Sequence, residues 1–147
     1  MKNSSPKKVG CWLPLAIVII FFVGIALYNK VSPSAERRAL PESATEIEEY
    51  YWEGGFMAQD FTRCLKAKIP RSEFAAYAHR LNFPHRYVKG ENIESKTGLD
   101  FGPGLARPWF DPPRAVEADD VYYDSGQTYA ATLKYKEPYV YLIIVDW

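Results

Sequence analysis

The sequence predicts an α+β fold: a single N-terminal transmembrane helix, then a small two-layer domain. In that domain one short helix packs on a largely antiparallel sheet, in the order β-β-α-loop-β-β. Three observations carry this. An uncharged apolar run extends from Val9 to Tyr28. Beyond it, segments on either side of one helical stripe carry strand signals, with period-two alternation or β-forming residues. A long stretch rich in Gly and Pro, residues 83–118, divides the second half.

At about 1.5 Å per residue, a helix over residues 9–28 spans roughly 30 Å, the thickness of a hydrocarbon core. Such a helix satisfies its backbone polar groups internally, as lipid requires. Pro14 falls in its first turns, where a missing N–H costs little. Trp12 and Tyr28 sit near its two ends, as interfacial aromatics do. Lys2, Lys7 and Lys8 precede the run, whereas Lys30, Arg37 and Arg38 follow it with Glu36 among them. That excess places the tail, residues 1–8, in the cytoplasm and the domain outside. A charged segment before an apolar one also fits a signal peptide, which would be cleaved near Ala26 to release a secreted domain. The run is longer than the ~7–15 apolar residues usual in such signals. Residues 29–43, dominated by Ser, Pro and charge, read as a flexible tether, with the domain over 44–147.

Within the domain, Ala44 to Glu53 gathers the β-formers Ile47, Tyr50, Tyr51 and Trp52 and reads as a strand. Ser43 followed by Glu46 is also a capping-box pattern that would open a short helix. Gly54 and Gly55 break the element. From Asp60 to Ile69, Phe61, Leu65, Ala67 and Ile69 share one face with Arg63, and Thr62, Cys64, Lys66 and Lys68 share the other. The two segments make a hairpin that ends at Pro70. Phe74, Tyr77, Ala78 and Leu81 then form one stripe of a helix over 72–82, with Ser72 as N-cap and Glu73 at the positive end of the dipole. The clearest strand signal is C-terminal. Thr128 to Lys136 alternates Tyr129, Ala131, Leu133 and Tyr135 against Ala130, Thr132, Lys134 and Lys136. After a turn at Glu137-Pro138, Tyr139 to Trp147 is apolar on both faces, the mark of a central or covered strand. Val121 to Tyr123 adds a short strand or hairpin arm.

The 147 residues suit one ordinary domain. Residues 1–30 hold four lysines and no acid, which leaves 14 basic and 18 acidic side chains in the remainder, a formal charge of −4. That balance argues against nucleic acid as a partner, since phosphate binders need a basic patch.

Conventional chemistry is sparse. His79 lies opposite the apolar stripe, and His85 lies in the loop beside Pro84 and Arg86. Neither has metal-ligand spacing, so no metal or cofactor is expected. Cys11 is a small interfacial residue or an acylation site, and the membrane separates it from Cys64. Cys64, on a face with Thr62, Lys66 and Lys68, reads as an incidental, partly exposed strand cysteine made at most modestly reactive by those lysines. The adjacent pairs Glu48-Glu49 and Asp119-Asp120 point to opposite faces and form no acid/base dyad. The one dense aromatic and proline cluster is Arg107 to Pro113. There Trp109, Phe110 and Asp111 either anchor a partner protein or plug the end of a small core.

Leu40 to Ile47, followed by a strand, a short helix, Pro108-Trp-Phe-Asp-Pro112 and a tyrosine-rich hairpin, resembles short bacterial membrane-anchored or exported proteins of no known activity. The resemblance implies a place at the envelope and no functional residues. The expected function is therefore a non-enzymatic, membrane-anchored extracytoplasmic domain, held in lipid by residues 9–28, that binds or scaffolds an envelope protein. The alternatives are a small envelope enzyme that assembles loop residues such as His85, Asp100 and Asp111, or an accessory subunit of a membrane complex.

Overall fold

A computed structural model describes residues 16–24, 32–53, 60–90 and 107–146. The chain divides into two units, Met1–Ser34 and Ala35–Trp147. In the first, residues 16–24 form helix α1, whose apolar side chains are exposed. No helix among the described residues is long and apolar enough to cross a membrane. The expected span over 9–28 runs past the described residues at both ends, and the expected tail over 1–8 lies outside them.

The second unit is built on a six-stranded sheet. The strands are β1 (Thr45–Glu53), β2 (Phe61–Lys68), β3 (His85–Arg86), β4 (Asp120–Ser125), β5 (Tyr129–Lys136) and β6 (Tyr139–Asp146). Their order is β1-β2-β6-β5-β4-β3, and every neighbouring pair is antiparallel. Both expected hairpins form, β1-β2 and β5-β6, and β6 joins them by pairing with β2. Two strands enlarge the expected order. Val121 to Tyr123 belongs to a full strand, β4, and the loop contributes the two-residue β3. Ala44 to Glu53 resolves as strand rather than capped helix, because its residues pair with β2 from Glu53–Phe61 to Thr45–Lys68. The ladder slips between Thr45 and Glu48, where Glu46 takes a left-handed φ of 51° and bulges the strand.

Helix α3 (Arg71–Arg80) lies on one face. Its stripe of Phe74, Tyr77 and Ala78 packs on Leu65 and Ala67 of β2, Leu133 and Tyr135 of β5, and Val140 and Leu142 of β6. Each large side chain buried there contributes about 1.5–3 kcal/mol. Ser72 is not the N-cap. Pro70 holds that position with φ −63° and makes no side-chain cap bond, so Ser72 already lies inside the first turn. The C-terminus closes through Asn82 at φ 58°. Asn82 N–H donates to the His79 carbonyl and Phe83 N–H to the Ala78 carbonyl, the paired bonds of a Schellman motif.

The domain also begins earlier than expected. Helix α2 (Ala35–Arg38) falls in the stretch assigned to the tether, yet it is part of the folded unit. Glu36 ion-pairs with Arg63, the Tyr77 hydroxyl donates to the Glu36 carbonyl at 3.1 Å, and Ala39 and Leu40 pack on the core. A helix of four residues has no apolar period to read, and tertiary contacts hold it.

The opposite face of the sheet is covered as well, by the irregular segment 107–118. Phe110 seals Cys64 and Ile143, and Ala115 and Ala118 pack on Val121 and Tyr87. Pro108, Pro112 and Pro113 deny this segment a strand ladder, and lysines of the sheet supply bonds for its carbonyls. Lys66 donates to Trp109 at 3.2 Å, Lys134 to Pro113 at 3.0 Å and Lys136 to Glu117 at 3.1 Å. The face that alternates with lysines in the sequence is therefore an interior one, and Thr132 and Lys134 are buried on it.

Candidate functional site

The most organised surface lies where segment 107–118 meets β2 and β6. Phe110 is 2% exposed and sits at its centre, with Tyr50, Trp109, Tyr141 and Val145 packed around it. The Trp109 ring stands edge-on to Phe110 with centroids 5.5 Å apart, and Phe110 stands edge-on to Tyr141 at 6.0 Å. Such pairs add about 0.5–1.5 kcal/mol beyond the area they bury. Trp109 is held half-buried and Asp111 is exposed. Arg107 lies over Tyr50, its guanidinium carbon 3.7 Å from the ring centroid.

Lys66 joins this patch to a second feature. Its ammonium donates to the Trp109 carbonyl and lies 4.6 Å from the Tyr139 ring centroid and 5.8 Å from that of Tyr141. Beyond it, Glu46, Ile47, Glu48, Lys66 and Tyr139 line an open cleft of about 360 Å³. The Tyr139 hydroxyl donates to one Glu46 oxygen at 2.6 Å and Lys68 donates to the other at 3.2 Å. These two bonds, the tyrosine's first, hold the Glu46 carboxyl below its ordinary pKa. The same bond raises the Tyr139 phenol, and burial raises Tyr141 with a smaller push from Asp111. The arrangement is an aromatic and charged surface in which Lys66, Tyr139, Glu46 and Phe110 are tied together by hydrogen bonds and ring contacts.

Of the residues singled out by sequence, Trp109 and Asp111 are presented on this surface, while Phe110 is interior and fixes Trp109. Cys64 departs from its expected place. It is fully buried under Phe110, and burial pushes its thiol up to about 11 despite the opposing Arg107. A thiol so placed is not a nucleophile at neutral pH. His79 is exposed on α3. His85 is exposed on β3 and stacks on Tyr123 at 5.2 Å. Two strands, β5 and β4, separate β3 from the β6 strand on which Phe110 rests, three strand spacings or roughly 14 Å, so His85 and Asp111 are not brought together. Asp100 lies outside the described residues. Asp119 and Asp120 diverge as expected. Asp120 pairs with Arg86 at 2.6 Å, while Asp119 accepts the Glu137 N–H and lies 3.6 Å from Lys136. Among the described residues, no group of three or more His, Cys, Asp or Glu side chains is placed to hold a metal ion.

A second cleft, about 290 Å³, opens between Arg86, Tyr87, Lys89, Ala115 and Asp120. Its rim charges Arg86 and Asp120 already satisfy each other through two bonds, which leaves the floor apolar and shallow in chemistry.

The lysine and tyrosine contributions were not singled out in the sequence. Lys66 lies on the polar face of an alternating strand, and Tyr139 and Tyr141 lie in a strand that reads as apolar on both faces, so neither pattern marks them as a surface site. No protein-family model, curated protein or solved structure matches the chain.

Proposed function

We propose that this chain is a single-pass, membrane-anchored binding domain that presents its aromatic surface around Trp109 to a protein partner at the envelope. In this reading residues 9–28 span the bilayer, the N-terminus faces the cytoplasm and the domain stands outside. The charge asymmetry of the flanks and the length of the apolar run support that placement.

The observation that carries the binding reading is the fixed, half-exposed Trp109. Phe110 locks its ring from below, Lys66 holds its backbone, and Asp111 stands exposed beside it. An aromatic anchor that is rigid before binding loses little conformational entropy on docking, and tryptophan is enriched among energetically dominant interface residues.

The test is purification of the full chain from its own membranes in mild detergent. A stoichiometric partner that is lost in Trp109→Ala, with the variant still folded, supports the reading. A clean monomer with no partner contradicts it. A reporter fused after Trp147 is expected to be active only outside the cytoplasm, and cytoplasmic activity contradicts the placement.

A further inference from the structure

Strand β1 is the long open edge of the sheet. Nine residues, Thr45–Glu53, pair on one side with β2 and on the other with no strand among the described residues. The opposite edge, β3, has two residues. Proteins commonly guard such edges with short strands, charges and bulges. Here the bulge at Glu46 guards only the start, and the ladder from Glu48 to Glu53 is regular.

The chemistry of that edge is one-sided. Glu49, Tyr51 and Glu53 point to the α3 face, and Glu48, Tyr50 and Trp52 to the other. Each cation of the neighbouring strand already has an acceptor: Arg63 has Glu36, Lys66 has the Trp109 carbonyl and Lys68 has Glu46. Among the described residues, Glu48, Glu49 and Glu53 take part in none of these bonds or in any other ion pair. Tyr51 and Trp52, between them, are 48% and 49% exposed, one on each face. The tyrosines of this strand also accept guanidinium groups, since Arg63 lies 5.2 Å from the Tyr51 centroid and Arg107 lies over Tyr50.

We propose that β1 is a docking edge for an extended, arginine- or lysine-rich segment of a partner protein, which adds to the sheet as a seventh strand. The proposal deepens the binding reading above and rests on it. Backbone pairing along Glu48 to Glu53 supplies affinity, and the alternation of carboxylates and rings selects cations flanking apolar side chains. A second copy of this chain is a poor occupant. Antiparallel self-pairing centred on Tyr50 and Tyr51 sets Glu48 of each copy against Glu53 of the other, and like charges directly opposed destabilise a ladder.

The test uses the full chain in phosphatidylcholine nanodiscs, which carry no net lipid charge to attract a cationic peptide. The probe is acetyl-Arg-Val-Arg-Val-Arg-Val-Arg-amide, with the same peptide carrying Glu for Arg as its counterpart. Amide hydrogen exchange is read by mass spectrometry. The basic peptide is expected to protect the amides of residues 48–53, and the acidic one to leave them unchanged. In Glu49→Lys/Glu53→Lys the basic peptide is expected to bind about tenfold more weakly or worse, with folding of the variant checked by its melting transition. Unchanged exchange in β1, equal protection by both peptides, or a peptide-independent dimer through β1 each overturns the proposal. A partner captured through Trp109 and insensitive to the β1 changes also overturns it while leaving the binding reading intact. Loss of both effects removes both.

Discussion

Glu36, in the short helix α2, forms an ion pair with Arg63 on β2, and that pair draws the segment after the apolar run into the folded domain. The side chains are 16% and 22% exposed, and the Arg63 Nε is buried without a partner of its own. Removing the carboxylate leaves a half-buried guanidinium less well compensated. Glu36→Gln is expected to lower unfolding stability by about 1–3 kcal/mol, between the values for exposed and buried pairs. Chemical denaturation of the full chain in non-ionic detergent measures it. A double-mutant cycle with Arg63→Met is expected to show a clearly non-additive pair.

On the other face Phe110 packs over Cys64 in an apolar cluster. Phe110→Ala removes a fully buried ring and is expected to cost about 3–5 kcal/mol. It also uncovers the Cys64 thiol, which the native domain buries and raises to about 11. Alkylation of Cys64 near neutral pH, followed by peptide mass mapping to separate it from Cys11, is expected to be negligible in the native protein and rapid in the variant. Equal rates would show that segment 107–118 does not cover this face.

Lys134 tests the lysine-to-carbonyl attachment of that segment. It is 5% exposed and donates to the Pro113 carbonyl at 3.0 Å. Lys134→Met keeps the apolar stem and removes the donor. It is expected to cost about 1–3 kcal/mol, the loss of a charged donor to a part-buried carbonyl, and to raise hydrogen exchange in segment 107–118 ahead of the sheet.

Acid stability follows from Glu46 and Asp119. Hydrogen bonds from Tyr139 and Lys68 hold Glu46 below its ordinary 4.5, and the Glu137 N–H, with help from Lys136, holds Asp119 below 3.8. Both folded-state values are depressed, so the stabilisation is complete above the ordinary values and disappears as pH falls through the folded ones. Denaturation midpoints are expected to be flat above about pH 5 and to fall below it. Glu46→Gln is expected to be less stable than the parent at neutral pH, with the difference shrinking as pH drops below 4.5.

Most of the sheet was legible in the sequence because its signals are local. The alternation of β5, the apolar run of β6, the stripe of Phe74, Tyr77 and Ala78, and the turn at Glu137-Pro138 all reappear in place. What escaped depends on which distant segment returns to a face. Cys64, Thr132 and Lys134 alternate with apolar neighbours as surface residues do, yet segment 107–118 folds back over them. Periodicity distinguishes the two faces of a strand and does not say that both are covered. For the same reason Trp109 and Phe110 stood out together as aromatics, while their division into a presented ring and a buried plug required the partners Lys66, Tyr141 and Ile143.

The binding surface is tested most directly by a photo-crosslinking amino acid, p-benzoylphenylalanine, placed at the exposed position Asp111 in the full chain in living cells. Irradiation is expected to yield one discrete protein adduct on the domain's side of the membrane, abolished by Trp109→Ala in a variant that still folds. No protein adduct, or one whose yield is indifferent to Trp109, would contradict a partner-binding surface centred on that residue.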